Sequence, residues 1–210
     1  MRLKPKAPLH PTDPRPMGTD TADPIEEGTT MSTTLSVPVR LDIDALCPGF
    51  SRAMVRLDAA ATGELDSAEI EGPLRQLVRI RASQLNGCAY CVDLHTKDAL
   101  EEGESFGRLA AVSVWRESPF FTQRERSALS LTESITRAAD THVADEEWST
   151  AATDFLPTEL GALVALIVTI NAWNSIGVTT RAWTPVLVGS VLPVETNPVE
   201  TAGVAEPEPC

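Results

Sequence analysis

The sequence predicts an all-α protein, a compact helical bundle between two tails. Three observations carry that expectation. Apolar residues recur at the helical period through most of positions 39–186. Proline, glycine and capping residues sit where those periodic stretches begin and end. Thr, Val and Ile are scattered and do not alternate with polar residues, so no set of strands emerges. With 210 residues, the chain has room for one sizeable domain plus tails, or for two small ones.

Residues 1–38 are rich in proline, with Thr, Asp and Gly between, and show no hydrophobic period. Such a segment cannot bury enough apolar surface to offset chain entropy, so it is expected to be disordered. Met31 opens a more ordinary stretch, "MSTTLSVPVRLD", and translation from Met31 rather than Met1 is an open alternative. The first helix is expected in "PGFSRAMVRLDAAATG". Phe50, Met54, Leu57 and Ala61 form its apolar stripe and Gly63 its stop. "GPLRQLVRIRASQLNG" starts a second helix at Pro73 and places Leu74, Leu77, Ile80 and Gln84 on one side. Asn86-Gly87 should end it. A third helix runs from about Cys88 to Glu102, with Gly103 as its stop. "SFGRLAAVSVW" reads as a short fourth, and a turn follows around Pro119. Thr122 with Glu125 three residues on forms a capping box for the next helix. "DEEWSTAATDFL" and "PTELGALVALIVTINAWNSIG" supply two more. The one strand-like run is "TPVLVGSVLP", and residues 187–210 form an acidic tail with four Glu and no Lys or Arg. That tail is expected to be flexible.

The net charge of −13 and pI near 4.6 exclude a general nucleic-acid or anionic-membrane binder, which needs clustered Lys and Arg. The N-terminus lacks the apolar stretch of a signal peptide. The most apolar run, Leu160 to Ile170, is shorter than the roughly 20 residues a membrane span requires and reads as a buried helix. A cytoplasmic protein is the expectation. The helix around Leu160 to Trp173 is apolar nearly all round, more than a small single bundle usually buries, so a homo-oligomer is expected as well.

The chemistry concentrates in "SQLNGCAYCVDLHTKDAL". The chain has four cysteines and three histidines, and Cys88, Cys91 and His95 fall within eight positions. At the start of a helix these three share one face. A helix N-terminus favours a thiolate, and such sites lower a cysteine pKa from about 8.5 to roughly 3.5–7.5. His95 can hydrogen-bond the Cys91 thiolate or take its proton. Cys88 is one turn away, close enough to attack Cys91 once Cys91 is oxidised and to form a disulfide with it. Other readings compete. A c-type haem site needs His directly after the second cysteine, where this chain has Val92. A structural zinc site needs four ligands, and His10, His142, Cys47 and Cys210 are isolated. A thioredoxin-type pair follows a strand, and none precedes this one. Two buried core cysteines beside a satisfied histidine remain a further reading.

"LRQLVRIRASQLNGCAYCVDLHTKDAL" resembles the core motif of the alkylhydroperoxidase-D-like (AhpD-like) group in the carboxymuconolactone decarboxylase superfamily. That motif is Glu, eleven residues, Cys-x-x-Cys, three residues, His. The resemblance extends to "WRESPFFTQRERSALSLTES" and "INAWNS", and covers roughly residues 41–181. It implies an all-helical fold, usually trimeric or hexameric, that reduces peroxides and is re-reduced by a dithiol donor. It makes Cys91 the peroxide-attacking thiolate, Cys88 the resolving thiol and His95 the residue that polarises or deprotonates Cys91. No metal or organic cofactor is implied. The family's proton-passing glutamate falls on Gln76 here, and glutamine cannot exchange a proton at neutral pH. If the second and third helices pack antiparallel, Gln76 is expected near His95 and the cysteines.

Two functions therefore stand, beside a third option, a helical assembly protein with a vestigial site. One is a thiol-dependent peroxidase acting on organic or hydrogen peroxide. The other is a slow thiol–disulfide switch, or a reductase for another protein, with weak peroxidase activity. The remaining residues read blandly. Trp115, Trp148 and Trp173 are expected as core or interface anchors, and Arg124 and Arg126 as partners of nearby Glu on a solvent face. Cys47 is expected to be a half-buried bystander.

Overall fold

The computed structural model describes residues 37–185. Among them lie nine α-helices: α1 (Ile43–Leu46), α2 (Pro48–Ser67), α3 (Gly72–Asn86), α4 (Ala89–Glu101), α5 (Phe106–Ala111), α6 (Gln123–Thr136), α7 (Ala138–Thr141), α8 (Asp145–Asp154) and α9 (Pro157–Thr180). A 3-10 segment, Val112–Glu117, follows α5. No strand forms among the described residues. The expectations for 1–36, including His10 and the Met31 start, lie outside the described residues. So do those for the tail 187–210 with Cys210, and all but the first two residues of the strand-like run.

Helix α3 is the centre of the bundle because it is apolar on two sides. Leu74 and Val78 enter one core cluster with Leu65, Leu131, Leu163 and Ile167. Leu77 and Ile80 enter a second with Ala99, Val112, Trp115 and Leu129. α4, α6 and α9 all pack on α3 as a result. An ion cluster around the buried Glu133 adds direction. Arg81 of α3 and the Trp115 indole both donate to Glu133 Oε1 of α6 at 2.8 Å, and Arg116 donates to Oε2. Burial raises the Glu133 pKa, but the hydrogen bonds from Arg116, Trp115 and Arg81 outweigh it and hold the carboxyl below its usual range.

Several local expectations need correction. Gly63 does not stop α2, which runs on to Ser67. A mid-helix glycine costs about 1 kcal/mol, and the burial of Ala61 and Leu65 on either side offsets it. Phe50 and Leu57 are not core residues but 48% and 44% exposed. The buried stripe of α2 is Met54, Ala61 and Leu65. Trp148 is exposed, whereas Trp115 is core, and Cys47 is exposed. Arg124 does pair with Glu, reaching Glu159 at 2.8 Å, but Arg126 serves the backbone carbonyls of Arg116, Ser118 and Phe121 instead. The Thr122–Glu125 capping box forms.

Helix α9 is 24 residues long, which by length and composition is enough to cross a membrane. The expectation of a run too short to span holds for the sequence run and not for the whole helix. In the bundle α9 lies against α2, α3, α4, α6 and α8, burying Leu160, Leu163, Leu166, Ile167 and Ile170. The backbone N–H groups of Arg40 and Leu41 donate to Thr180 O, at 2.8 and 3.1 Å. They tie the start of the described chain to the end of α9.

Leu77 is fully buried between α3 and the second cluster. Leu77→Ala should lower the free energy of unfolding by about 2–5 kcal/mol, measured by urea denaturation. A loss below 1 kcal/mol would contradict the central place given to α3.

Candidate active site

The site begins at the turn between α3 and α4. Gly87 ends α3 in the left-handed conformation, φ 70°, which a residue with a side chain adopts only at a cost. The Cys88 N–H then bonds Ser83 O at 3.0 Å, closing the helix end. Cys88 is not inside α4 but is its N-cap, and its Sγ accepts the Cys91 N–H at 3.4 Å. This one turn fixes both cysteines. They form a disulfide with Cα atoms 5.3 Å apart. Both are nearly enclosed.

Behind the pair stands α9. A β-carbon at Gly177 would lie 3.1 Å from Cys88 Sγ and 3.5 Å from the Trp183 ring. Glycine there lets the sulfur and the indole approach the helix backbone. A polar network locks the same contact. Asn174, fully buried, donates to Ser83 Oγ at 3.0 Å, and Asn86 donates to Asn171 and Asn174 at 2.7 and 3.0 Å. The "INAWNS" stretch therefore serves to seat α9 against the α3–α4 turn.

In front of the pair is a cleft of about 1020 Å³. Cys91, His95 and Asp98 of α4, Arg79 of α3, Trp173 of α9 and Trp183 just after it all line the cleft. Tyr90, Trp173 and Trp183 form a continuous aromatic wall, with ring centroids 5.8 and 5.6 Å apart. The Trp183 indole donates to Asp44 of α1 at 3.0 Å, which holds the wall in place. Among the described residues, no three His, Cys, Asp or Glu side chains cluster as a metal site requires.

His95 sits one turn beyond Cys91. Its imidazole pKa is pushed down to about 4, first by burial and then by the Arg79 charge, with Asp58 opposing. It is therefore neutral at neutral pH. Its Nδ1 lies 3.3 Å from Asp98 Oδ2, off the line of a good hydrogen bond.

Three of the four expected site residues thus come together: Cys88, Cys91 and His95. The fourth, Gln76, is buried on α3 but does not line the cleft. Its Nε2 donates to Glu102 Oε1 at 2.8 Å, at the far end of α4, and its Oε1 has no partner. Arg79, Asp98 and Trp183 were not singled out in the sequence. For Asp98 a signal existed, since it follows His95 by three and Cys91 by seven residues, on the same helical face. Trp183 lies beyond the last periodic helix and carries no such mark.

The family model described as carboxymuconolactone decarboxylase matches residues 48–134. Over 111 residues the chain is 37% identical to the uncharacterized protein YdfG of Bacillus subtilis, covering 53% of this chain and 76% of that one. The chain belongs to the carboxymuconolactone decarboxylase family. Within it, the uncharacterized protein YnjA of Escherichia coli is 34% identical over 104 residues, covering 50% of this chain and 57% of that one. A solved protein of unknown function from Agrobacterium tumefaciens, named as a candidate antioxidant defence protein AhpD, superposes with a TM-score of 0.67. It is 33% identical, over 71% of this chain and the whole of that one. The membership is therefore of the AhpD-like kind. The debrominase Bmp8 shares the fold alone, at 18% identity and a TM-score of 0.56 over 66% of this chain and 73% of that one.

A histidine whose pKa is depressed on folding contributes stability that is complete above its unfolded pKa of about 6.5. That stability is lost as pH falls towards the folded value. Because His95 falls to about 4 in the folded protein, the oxidised protein should lose about 2 kcal/mol between pH 7 and pH 5 through this group. Urea denaturation at the two pH values, compared with His95→Gln, measures it. An equal loss in the variant would assign the effect to other groups.

Proposed function

We propose that this protein is a thiol-dependent peroxidase acting through Cys91 and Cys88. The observation that carries the reading is the placement of Cys91. It is half of a pair at disulfide distance, it lines a cleft, and a neutral histidine lies one turn away on the same helix. The family and the Agrobacterium protein named for antioxidant defence support the same reading.

In the reduced protein His95 takes the Cys91 proton. The thiolate attacks the terminal oxygen of a hydroperoxide, forming an S–O bond as the O–O bond breaks. The leaving alkoxide takes a proton and departs as alcohol, or as water from hydrogen peroxide. Cys88 then attacks the Cys91 sulfenic acid, releasing water and forming the disulfide. Two electrons from a small dithiol or a dithiol protein restore the pair. Cys91 faces the cleft while Cys88 is packed against Gly177, which supports these two roles. No step calls for a metal or an organic cofactor.

The burial of both sulfurs favours a second reading. A pair this enclosed meets a dithiol slowly, and a slow redox switch or disulfide reductase would need no fast relay at Gln76. Steady-state turnover separates the two. Wild type should consume an organic hydroperoxide continuously with dithiothreitol present. Cys91→Ser should abolish this. Cys88→Ser should complete one turnover and accumulate a sulfenic acid, trapped with dimedone on the peptide 82–97. A single stoichiometric burst in wild type, with no further turnover, would support the switch.

We also propose a homo-oligomer, a trimer or a hexamer, working in a reducing cytoplasmic compartment. Leu46, Phe50 and Leu57 leave large apolar side chains exposed along α1 and α2, as a subunit interface would. Light scattering at micromolar concentration should give a multiple of 22.6 kDa. A monomer mass rejects it.

A further inference from the structure

A histidine that takes a thiol proton works best when a carboxylate holds its other ring nitrogen. The family motif would place an acid on α3, where this chain has Gln76. Gln76 is turned to Glu102, and neither lines the cleft. One carboxylate does touch His95. Asp98 Oδ2 is 3.3 Å from His95 Nδ1, and both residues line the cleft with Cys91. Cys91, His95 and Asp98 stand at i, i+4 and i+7 on α4, one face of one helix.

We infer that Asp98 is the positioning residue of this site, supplying from α4 the carboxylate that the motif would place at position 76. The inference rests on the reading of Cys91 as the nucleophile. An Nδ1–H directed at Asp98 leaves the Nε2 lone pair as the base. The Cys91 proton passes to Nε2, giving a thiolate and an imidazolium. Asp98 stabilises that imidazolium without taking its proton, and the imidazolium then protonates the departing alkoxide. In the oxidised state there is no thiolate to pair with, and the contact at 3.3 Å is loose. Such hydrogen bonds commonly tighten only in the reacting state.

Other charges line the cleft around His95. Arg52, Arg56 and Asp58 face the cleft from α2 and Arg79 from α3. Asp44 of α1 is already engaged by Trp183, and the Tyr90 hydroxyl lies on α4 itself. α9 contributes Ile170 and Trp173, which do not titrate. Asp58 acts on His95 through its field. Among the described carboxylates, Asp98 is the one within 4 Å of a His95 nitrogen.

The test is the pH profile of Cys91 alkylation by iodoacetamide in reduced protein carrying Cys88→Ser, so that one thiol of the pair reports. Asp98→Asn should move the midpoint up by about one pH unit and slow alkylation about tenfold at pH values below it. Asp98→Glu keeps the charge and should restore the rate to within about threefold. Asp93→Asn changes an acid on the same helix that pairs with Lys97 at 2.6 Å, and should leave the profile unmoved. An unchanged midpoint in Asp98→Asn overturns the inference. So does an Asp98→Glu variant as slow as Asp98→Asn, because the effect would then be one of packing. Peroxide turnover is measured alongside, with both cysteines present. If wild type turns over no peroxide, the peroxidase reading falls, and the alkylation profile still decides the role of Asp98.

Discussion

The turn at Gly87 and Cys88 is the constraint on which the site depends. A left-handed glycine ends α3, and the next residue closes that helix with its N–H and opens α4 with its sulfur. No residue is spare between the two helices. Cys91 therefore falls on the first turn of α4, where unpaired N–H groups favour a thiolate. The same tight turn makes α3 and α4 antiparallel neighbours and brings Arg79 of α3 to the cleft that Cys91 and His95 line. The network of Asn174, Asn86 and Ser83 then fixes α9 to this turn, and Gly177 admits Cys88 and Trp183 against it. The chemistry and the packing share one piece of backbone.

Most of the fold was legible because local signals and burial agree. The α3 end, the capping box of α6 and the proline starts of α2, α3 and α9 are all short-range features that chain neighbours decide. Where the reading failed, a tertiary contact decided instead. Gly63 resembles a helix stop, yet helix α2 is held on both sides of it by burial. Phe50 and Leu57 share an apolar period with Met54 and Ala61 but stay exposed, and burial continues from Met54 and Ala61 to Leu65 instead. Period alone identifies a helix and does not say which of its apolar residues the neighbouring helices cover.

The site was legible in the same proportion. Cys88, Cys91 and His95 lie in one helix-length stretch, so their spacing alone predicts their meeting. The aromatic wall could not be read this way. Tyr90 and Trp173 sit on different helices and Trp183 beyond the last of them, and they meet only because α9 folds back over the turn. α3 and α4 pack antiparallel, and this places Gln76 level with the end of α4 rather than with His95. The amide therefore finds Glu102.

That pairing gives a physical reason for glutamine at position 76. The side chain is 5% exposed and its Nε2 donates to a carboxylate. A glutamate there would be buried with its oxygens against those of Glu102, two acids within hydrogen-bond distance. Burial and like charge would both raise its pKa, leaving a shared proton or a repelled side chain instead of a free base. In this chain an acid at position 76 would meet the acid at position 102. With Glu102 in place, the carboxylate that serves His95 has to come from elsewhere, and the face of α4 already carries one.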